Sequence, residues 1–474
     1  MFQVFISDES GDLHEVGSVK IGFSGQDTSS ATYESLDWPR NELPENYFSL
    51  GLSVEYYKKI RENLSAELRE AYCLAMRDVV SDLDLLNKFG DEQVFRTSLL
   101  REGSISSVKG QYRRVLDGGM VLTDFNFRYK VEQTDNFAGY ELDFKVIPAS
   151  TPPTNIHAMI GRNGVGKTTF LNDLVRASLT LPEVRGKMLR DVWFRYEEIE
   201  PDYFSSVVSV SFSAFDPFNP PEDQPEPDEG PAYHYIGIKN PSDPLGNTLK
   251  SPSELKSELV SSIQYVLSEE GKAERWRDCI ETLESDDNFK EINLTRFVDN
   301  RDDANEWRLN QLAEKLSSGH AIVLLTITKL VAYVQEKTLV LIDEPESHLH
   351  PPLLSAFMRS LSGLLYNRNG VAIIATHSPV VLQEIPKDCA WKIVRSRNRI
   401  KAVRPQIETF AENVGTLTHE VFGLEVGKSG FHRILASEVE SGKEFEQIIS
   451  EYSGEIGFEG QALIRSLISQ RGSE

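Results

Sequence analysis

A glycine-rich segment followed by lysine and threonine restricts the possible folds of this chain more than any other feature of its sequence. Residues 161–169 read Gly-Arg-Asn-Gly-Val-Gly-Lys-Thr-Thr and fit the pattern G-x-x-x-x-G-K-[ST]. They follow an apolar run, Ile156 to Ile160, that is typical of a buried strand. Backbone N–H groups in such a loop surround phosphate oxygens, and the positive end of the following helix adds to the attraction. The sequence therefore predicts an α/β fold with a site for a nucleotide phosphate.

The side chains of this loop predict contacts with a nucleotide and its cation. The lysine is expected to reach the β- and γ-phosphate oxygens, and the first threonine offers its hydroxyl group to Mg²⁺. The residues expected to bind the nucleotide are Asn163, Gly164, Val165, Gly166, Lys167, Thr168 and Thr169. Thr168 is therefore also an expected ligand of Mg²⁺.

A second buried strand is predicted at Leu339 to Ile342, and it ends in two carboxylates, Asp343 and Glu344. We expect Asp343 to hold Mg²⁺ through water, and Glu344 to orient or deprotonate the water molecule that attacks the γ-phosphate. An apolar strand with acidic residues at its end is common by itself. Beside a phosphate loop it becomes specific, because phosphoryl transfer needs a cation opposite the phosphates and a base near the γ-phosphate.

Two further motifs give the chain a family resemblance. The segment Leu316-Ser-Ser-Gly-His320 resembles the LSGGQ signature of ABC-type ATPases, and Val371 to Ser378 resembles their switch-histidine strand. The resemblance implies an ABC-type P-loop ATPase domain that binds ATP and Mg²⁺ between two copies of the chain. The residues that it assigns are Glu344 and His377 for catalysis, Ser317, Ser318, Gly319 and His320 for the signature that acts on the partner's nucleotide, and Ser347 and His348 for the D-loop.

The resemblance has departures that bear on activity. In the signature, Ser318 stands where glycine is usual and His320 where glutamine is usual. His350 stands where the D-loop commonly has aspartate, and the strand expected at Val207 to Ser213 is not followed by an identifiable Q-loop glutamine. Residues 321–334 predict a helix behind the signature, with its positive end towards the phosphate. The departures predict slow hydrolysis.

The spacing of the motifs and several further segments indicate which branch of the ABC-type ATPases the chain resembles. The signature lies 317 − 167 = 150 residues after the phosphate-loop lysine, farther than is usual in transporter subunits. Asp343 to Pro351 resembles a DEPExHLHP segment of RecF-like and OLD-like ATPases. Segments 46–51, 211–216 and 377–386 look most like the ATPase subunit of Septu-type anti-phage defence systems, including retron-associated ones. This resemblance implies a homodimer or larger homo-oligomer that regulates a separate HNH nuclease subunit, with DNA contacted indirectly through that partner.

Composition disfavours several other functions. Fifty Lys and Arg against 73 Asp and Glu give a formal net charge of −23, which disfavours binding to nucleic acid or anionic membranes by bulk charge. The longest apolar run is interrupted by Lys329 and is shorter than the roughly 18 to 20 residues needed to cross a bilayer. No secretory signal is evident, and three separated cysteines are expected to be buried or incidental thiols. We expect a cytoplasmic protein that does not associate with membranes.

Changes in composition along the chain predict three regions. These are an N-terminal accessory mixed region at residues 1–119, the ABC-type ATPase domain at residues 120–421 and a helical C-terminal tail at residues 422–474. Within the ATPase domain, residues 217–231 predict an exposed acidic loop, and residues 251–285 predict a short helical insert that begins with a capping box. The insert and the tail are candidates for partner docking, but the sequence favours equally that both pack on the ATPase core.

Together these features predict the ATP-binding and hydrolysing subunit of an anti-phage defence complex, in which nucleotide-dependent dimerisation regulates an HNH nuclease. One alternative is a nucleotide sensor and scaffold with little or no hydrolysis, which the altered signature favours. A second alternative is a RecF-like DNA repair ATPase, which would need a basic groove across the dimer.

Overall fold

In the computed structural model, the described residues form three β-sheets with helices packed against them. The described residues are 1–27, 30–36, 41–100, 108–119, 122, 124–134, 138–182, 184–192, 195–214, 216–225, 230–243, 248–396, 399–426 and 430–471. The α/β fold class and the helical character of the C-terminal region are confirmed.

Strands and helices occur mostly in runs along the chain. The strands are β1 (Phe2–Ser7), β2 (Leu13–Phe23), β3 (Tyr47–Gly51), β4 (Asn126–Val131), β5 (Tyr140–Lys145), β6 (Ile156–Ile160), β7 (Gly186–Val192), β8 (Arg195–Glu198), β9 (Ser206–Ser211), β10 (Ala232–Gly237), β11 (Thr338–Asp343), β12 (Val371–Thr376), β13 (Ala390–Ser396) and β14 (Arg399–Val403). The α-helices are α1 (Thr32–Ser35), α2 (Val54–Asn63), α3 (Ala66–Ala75), α4 (Leu83–Phe89), α5 (Arg113–Leu116), α6 (Lys167–Ser178), α7 (Pro252–Ser268), α8 (Glu270–Leu283), α9 (Asp287–Ile292), α10 (Arg296–Asp299), α11 (Glu306–Lys315), α12 (Ser318–Tyr333), α13 (Pro351–Asn367), α14 (Pro379–Gln383), α15 (Val414–Val426), α16 (Gly430–Glu440), α17 (Phe445–Glu451) and α18 (Phe458–Arg471).

The central sheet has seven strands in the order β10-β9-β11-β12-β6-β13-β14. All neighbouring pairs are parallel except β13 and β14, which are antiparallel. Strands β6, β10 and β12 are buried along their whole length, as the apolar runs at 156–160 and 371–375 predict. Parallel pairing places the carboxyl ends of these strands along one edge of the sheet.

The two faces of the central sheet pack into different cores, because successive side chains on a strand point to opposite faces. On β11, Val340 and Ile342 pack with the helical layer, which we define as α7 to α13. Leu339 and Leu341 pack instead with α6 and the antiparallel sheet β5-β4-β7-β8. The phosphate loop therefore lies between two cores that both hold the central strands in place.

The N-terminal region has a hydrophobic core of its own, whose buried residues extend from Val16 to Leu116. The next core along the chain begins at Phe125. Arg114 connects the two regions, since its guanidinium group lies 3.1 Å from the Glu336 carboxylate and donates to the Asn367 carbonyl oxygen at 2.6 Å. Helices α16 to α18 form a further small core around Ile448 and Ile464.

The predicted insert is part of the ATPase core. Ser251 forms the capping box with Glu254 at the start of α7, as its sequence predicts. Leu259 on α7 and Trp276 on α8 are buried in the core that also contains Val340. Of the two possibilities left open for these helices, packing on the core is the one that the contacts support.

The acidic segment is exposed at residues 222–225, but it is also hydrogen-bonded. Lys239 donates to the carbonyl oxygens of Asp216 and Phe218 at 2.5 Å and 2.6 Å, and Asp223 accepts from the backbone N–H of Tyr235 at 2.8 Å. These hydrogen bonds hold the described part of the segment against residues 235–239. Residues 226–229 of this segment lie outside the described part.

Two other expectations concern the cysteines and membranes. Cys73, Cys279 and Cys389 are free and buried, as predicted. Among the described helices, none has both the length and the apolar composition that crossing a bilayer requires.

Trp276 offers a test of how α8 packs against α12. Its ring is fully buried, and its indole N–H donates to the Thr328 hydroxyl group at 2.9 Å. Trp276→Phe should lower the free energy of unfolding by about 1–3 kcal/mol, because the buried hydroxyl group loses its partner. Trp307→Phe is the matched control, since Trp307 is 66% exposed, and it should change that free energy by less than about 0.5 kcal/mol. Urea denaturation measures both; equal effects would contradict the packing.

Candidate active site

The strand register brings the predicted motifs to one edge of the central sheet. Asp343 at the end of β11 pairs with Ala375 on β12, and Thr376 at the end of β12 pairs with Ile160 at the end of β6. The phosphate loop follows Ile160 and His377 follows Thr376. Segments almost 220 residues apart in sequence (377 − 160 = 217) therefore meet where parallel α/β sheets generally bind ligands.

The phosphate loop adopts the conformation that its glycines permit. Gly164 has a φ of 78° and Gly166 a φ of 105°, both in the region that residues with a Cβ atom rarely adopt. Gly166 is the N-cap of α6, so the first backbone N–H groups of this helix point out of its end without a side-chain cap. Val165 is buried in the core beside α6, whereas Asn163 is exposed. The loop therefore offers backbone N–H groups to an anion.

Lys167 lies in this loop as a largely buried cation, with the residue 5% exposed. Its ammonium group donates to the carbonyl oxygens of Gly161 at 2.9 Å and Arg162 at 3.0 Å. Burial lowers the pKa of Lys167, while Glu344 and Asp343 counteract this effect by favouring the charged form. The phosphates of a nucleotide would offer this ammonium group stronger acceptors than two neutral carbonyl oxygens.

Asp343 and Thr168 form a site that fits Mg²⁺. Thr168 and Asp343 line the same cavity, and the Oδ1 atom of the Asp343 carboxylate is buried and has no hydrogen-bond partner. Burial raises the pKa of Asp343 to about 7, with Glu344 and Asp216 adding to the shift. A cavity of about 60 Å³ is lined by Thr168, Asp343, Ser211 and Asp216. An unpaired buried carboxylate oxygen beside a hydroxyl group is the donor set that a hard divalent cation needs.

Sequence analysis did not identify Ser211 and Asp216 as residues of the site. They lie at the end of β9 and in the segment after it, where a Q-loop glutamine was expected. Burial raises the pKa of Asp216, and this carboxylate faces the same cavity as Asp343. The chain therefore presents a carboxylate, rather than an amide, at this position beside the cation site.

His377 lies between two glutamates. Its Nδ1 atom is 3.7 Å from the Glu344 carboxylate and 3.1 Å from that of Glu346. The Glu346 carboxylate also accepts from the Thr376 hydroxyl group at 2.7 Å and from the backbone N–H of His377 at 2.6 Å. Glu344 has a left-handed φ of 47°, a conformation of the kind that is concentrated at functional sites. Glu346, which sequence analysis did not identify, thus fixes the histidine next to Glu344.

The signature forms the N-terminal end of α12, as the sequence predicts. Ser317 is the N-cap, and its hydroxyl group accepts from the backbone N–H of His320 at 3.4 Å. Ser318 is the first helical residue. A Cβ atom on Gly319 would lie 2.6 Å from the carbonyl oxygen of His348. The glycine therefore allows the helix to contact the D-loop backbone directly.

The D-loop begins with a 3₁₀ turn at Pro345–His348. The backbone N–H of Ser347 donates to the Glu344 carbonyl oxygen at 3.1 Å. This turn thus connects the candidate base to the signature contact at His348. The signature contacts the D-loop and residues 286–289. Lys167, in contrast, interacts with the phosphate loop and with residues 343–346.

Gly319 and Gly363 allow a matched test of the contact between α12 and the D-loop. Gly319→Ala should lower the free energy of unfolding by about 1–3 kcal/mol, because its Cβ atom meets backbone that must move. Gly363→Ala on α13 meets no atom within 4 Å and should be neutral or stabilising by up to about 1 kcal/mol. Thermal and urea denaturation compare the two variants. Equal stability of both would contradict the close approach at His348.

Comparison with known proteins gives a matching family model and a relative that aligns along nearly the whole chain. Residues 253–383 match a family model described as "AAA domain, putative AbiEii toxin, Type IV TA system". Protein ea59 of Escherichia phage lambda is 45% identical over 489 residues, an alignment that covers 99% of this chain and 92% of that protein.

Solved structures resemble the chain only distantly. The ATP-binding cassette MJ1267 of an ABC transporter, in its ADP conformation, is 14% identical, with a TM-score of 0.34, and covers 64% of this chain and 100% of its own. UvrA2 from Deinococcus radiodurans is 15% identical, with a TM-score of 0.30, and covers 60% of this chain and 37% of its own. From its identity to the lambda protein across nearly its whole length, the chain belongs to the family of phage lambda protein ea59, and its motifs and strand order are those of a P-loop ATPase domain.

Proposed function

We propose that the chain binds ATP with Mg²⁺ and hydrolyses it slowly, as half of an active site that a second copy completes. The observation that carries this proposal is the convergence of Lys167, Thr168, Asp343, Glu344 and His377 at the carboxyl edge of the central sheet. Each group that phosphoryl transfer requires, namely a phosphate cradle, a cation site and a base, has a residue of suitable chemistry there.

The proposed chemistry assigns separate tasks to these residues. Lys167 exchanges its two carbonyl partners for phosphate oxygens when ATP binds. Thr168 and Asp343 would hold Mg²⁺, which when bound supplies neutralisation of the phosphate charge. Glu344 accepts a proton from the attacking water, and His377, held by Glu346, orients groups at the γ-phosphate.

A second copy would supply the signature. Ser317 and the N-terminal N–H groups of α12 form an anion-binding end, but their contacts within this chain are to the D-loop and residues 286–289. Because this helix end contacts segments other than its own phosphate loop, we expect it to bind a nucleotide that is held by another copy. The expected assembly is a homodimer or a larger homo-oligomer.

Two substitutions separate ATP binding from turnover. Lys167→Ala should abolish binding of a fluorescent ATP analogue, because the cradle loses its cation. Glu344→Gln should bind ATP normally but lower turnover by about 10²- to 10⁴-fold, because no base accepts the proton from water. It should also retain an ATP-dependent dimer in light scattering. Glu306→Gln, an exposed carboxylate at the start of α11, is the control. Normal turnover of Glu344→Gln would remove this residue from the role of base.

The sensor and scaffold function remains a second candidate because of one contact. The Ser317 hydroxyl group lies 2.6 Å from Nδ1 of His320, the residue that replaces the usual glutamine. A hydroxyl group already paired within its own chain engages a partner's phosphate less readily. Tight ATP binding and ATP-dependent association with no measurable turnover, equal in the native chain and in Glu344→Gln, would favour this candidate.

A more specific proposal is that the ATPase regulates an HNH nuclease in anti-phage defence. This proposal rests on the resemblance to Septu-type subunits and on two supporting observations. No group of three or more metal-binding side chains suitable for a nuclease centre occurs among the described residues. The C-terminal helices also expose Phe431, Ile434 and Phe458, apolar side chains of the kind that a protein partner buries. DNA would then be contacted through the nuclease.

Affinity purification of the tagged chain from its native host tests this partnership. We expect a protein with an HNH motif to co-purify and a phage plaque assay to show protection that both proteins require. Phe458→Ser, at a side chain 87% exposed on α18, should reduce recovery of the nuclease, whereas Leu74→Ser, 75% exposed on α3, should not. Tight duplex DNA binding by the purified chain alone, without any nuclease, would favour the RecF-like alternative instead.

A further inference from the structure

We propose that Asp286 is a positioning residue that fixes the signature helix and the D-loop as one unit for engagement of the nucleotide held by a second copy. The proposal rests on the proposed function, since it concerns how the same ATP site is completed. Sequence analysis gave Asp286 no role, and its position is 31 residues before the signature serine (317 − 286 = 31).

Asp286 is the N-cap residue of α9. Its Oδ1 atom accepts from the backbone N–H groups of Asn288 at 3.1 Å and Phe289 at 3.2 Å, at the start of α9. The side chain is only 5% exposed. A buried carboxylate of this kind is held in a fixed orientation by its backbone donors, so whatever else it contacts is fixed relative to α9.

The same carboxylate contacts two histidines from different segments. Its Oδ1 atom lies 3.5 Å from Nε2 of His320 in the signature, and its Oδ2 atom lies 3.0 Å from Nε2 of His350 beyond the D-loop turn. Nε2 of His320 is buried and has no hydrogen-bond partner, and the His320 ring packs edge-on against Phe289. His320 and His350 are two of the residues that differ from the usual ABC motifs. The fold brings both departures to one carboxylate.

The Asp286 carboxylate presents a negative charge to both imidazoles. Although burial disfavours ionisation, the backbone donors and the two imidazoles outweigh it, so the pKa of Asp286 is lowered and the group is anionic. A carboxylate is only an acceptor, so an imidazole nitrogen that pairs with it must carry the hydrogen. On its other side, the His320 ring hydrogen-bonds through Nδ1 to the Ser317 hydroxyl group, 2.6 Å away. Asp286 thereby fixes the position of the His320 ring at the start of α12.

The connection to the D-loop has a second, independent contact. The His348 carbonyl oxygen lies against Gly319, and His350, two residues further on, is paired with Asp286. The signature and the D-loop therefore meet both through backbone and through a shared carboxylate. A nucleotide that a second copy brings to Ser317 would act on both segments together, because neither can move without breaking the pair with Asp286.

Asp286→Asn tests the proposal without removing the helix cap, since asparagine caps as well as aspartate. The variant should fold and bind the fluorescent ATP analogue as the native chain does. Its ATP-dependent association in light scattering and its turnover should each fall about tenfold. Asp287→Asn, at the neighbouring exposed carboxylate, is the matched control and should change neither quantity.

A double-mutant cycle separates positioning from a purely structural role. His320→Gln removes the imidazole that faces Asp286, so adding Asp286→Asn should have less than half of its effect in the native background. An unchanged effect, or Asp286→Asn behaving like Asp287→Asn, would overturn the proposal. If the native chain showed no ATP-dependent association, the proposed function would be overturned as well. Lys167→Ala, which should not bind ATP, shows what the absence of ATP-dependent association looks like.

Discussion

The parallel alignment of β6, β11 and β12 is the constraint on which the rest of the site depends. Each strand is buried on both faces, and its alternate side chains enter two different cores. A shift of one residue in the pairing of β11 would exchange Leu341 and Ile342 between those cores and turn Asp343 away from Thr168. Apolar packing therefore fixes the positions of the charged groups, which by themselves would repel one another.

The helical layer does more than cover the sheet. It carries the signature at the N-terminal end of α12, and the backbone of the D-loop lies against that end at Gly319. Since Trp276 and Thr328 hold α8 to the same helix, the position of the signature is set by contacts well inside the layer. A partner's nucleotide at Ser317 would thus meet a surface that is rigid before it binds, which lowers the entropic cost of engagement.

Local patterns predicted the parts of the site that lie on single elements. Glycine spacing, a buried strand and a following helix were enough for residues 161–169, and an apolar run with two carboxylates was enough for Asp343 and Glu344. Glu346, Asp216 and Asp286 were missed because their roles arise from contacts between distant segments, such as the pairing of Asp286 with His350, 64 residues later (350 − 286 = 64). In a chain with 73 acidic residues, sequence alone does not separate such carboxylates from solvated ones.

Charge explains why the site is built around a cation. Lys167 faces Asp343, Glu344 and Glu346, and the chain as a whole carries a net charge of −23, so ATP approaches a region with more carboxylates than ammonium groups. The backbone N–H groups at the start of α6 offset only part of this charge, because a helix end is equivalent to about half of an elementary charge. Burial is the largest cause of the raised pKa of Asp343, and the charges of Glu344 and Asp216 add to it. A divalent cation at Thr168 and Asp343 would offset this excess of negative charge beside the phosphates, so that in the proposed function nucleotide affinity and catalysis would depend on the same pair of residues.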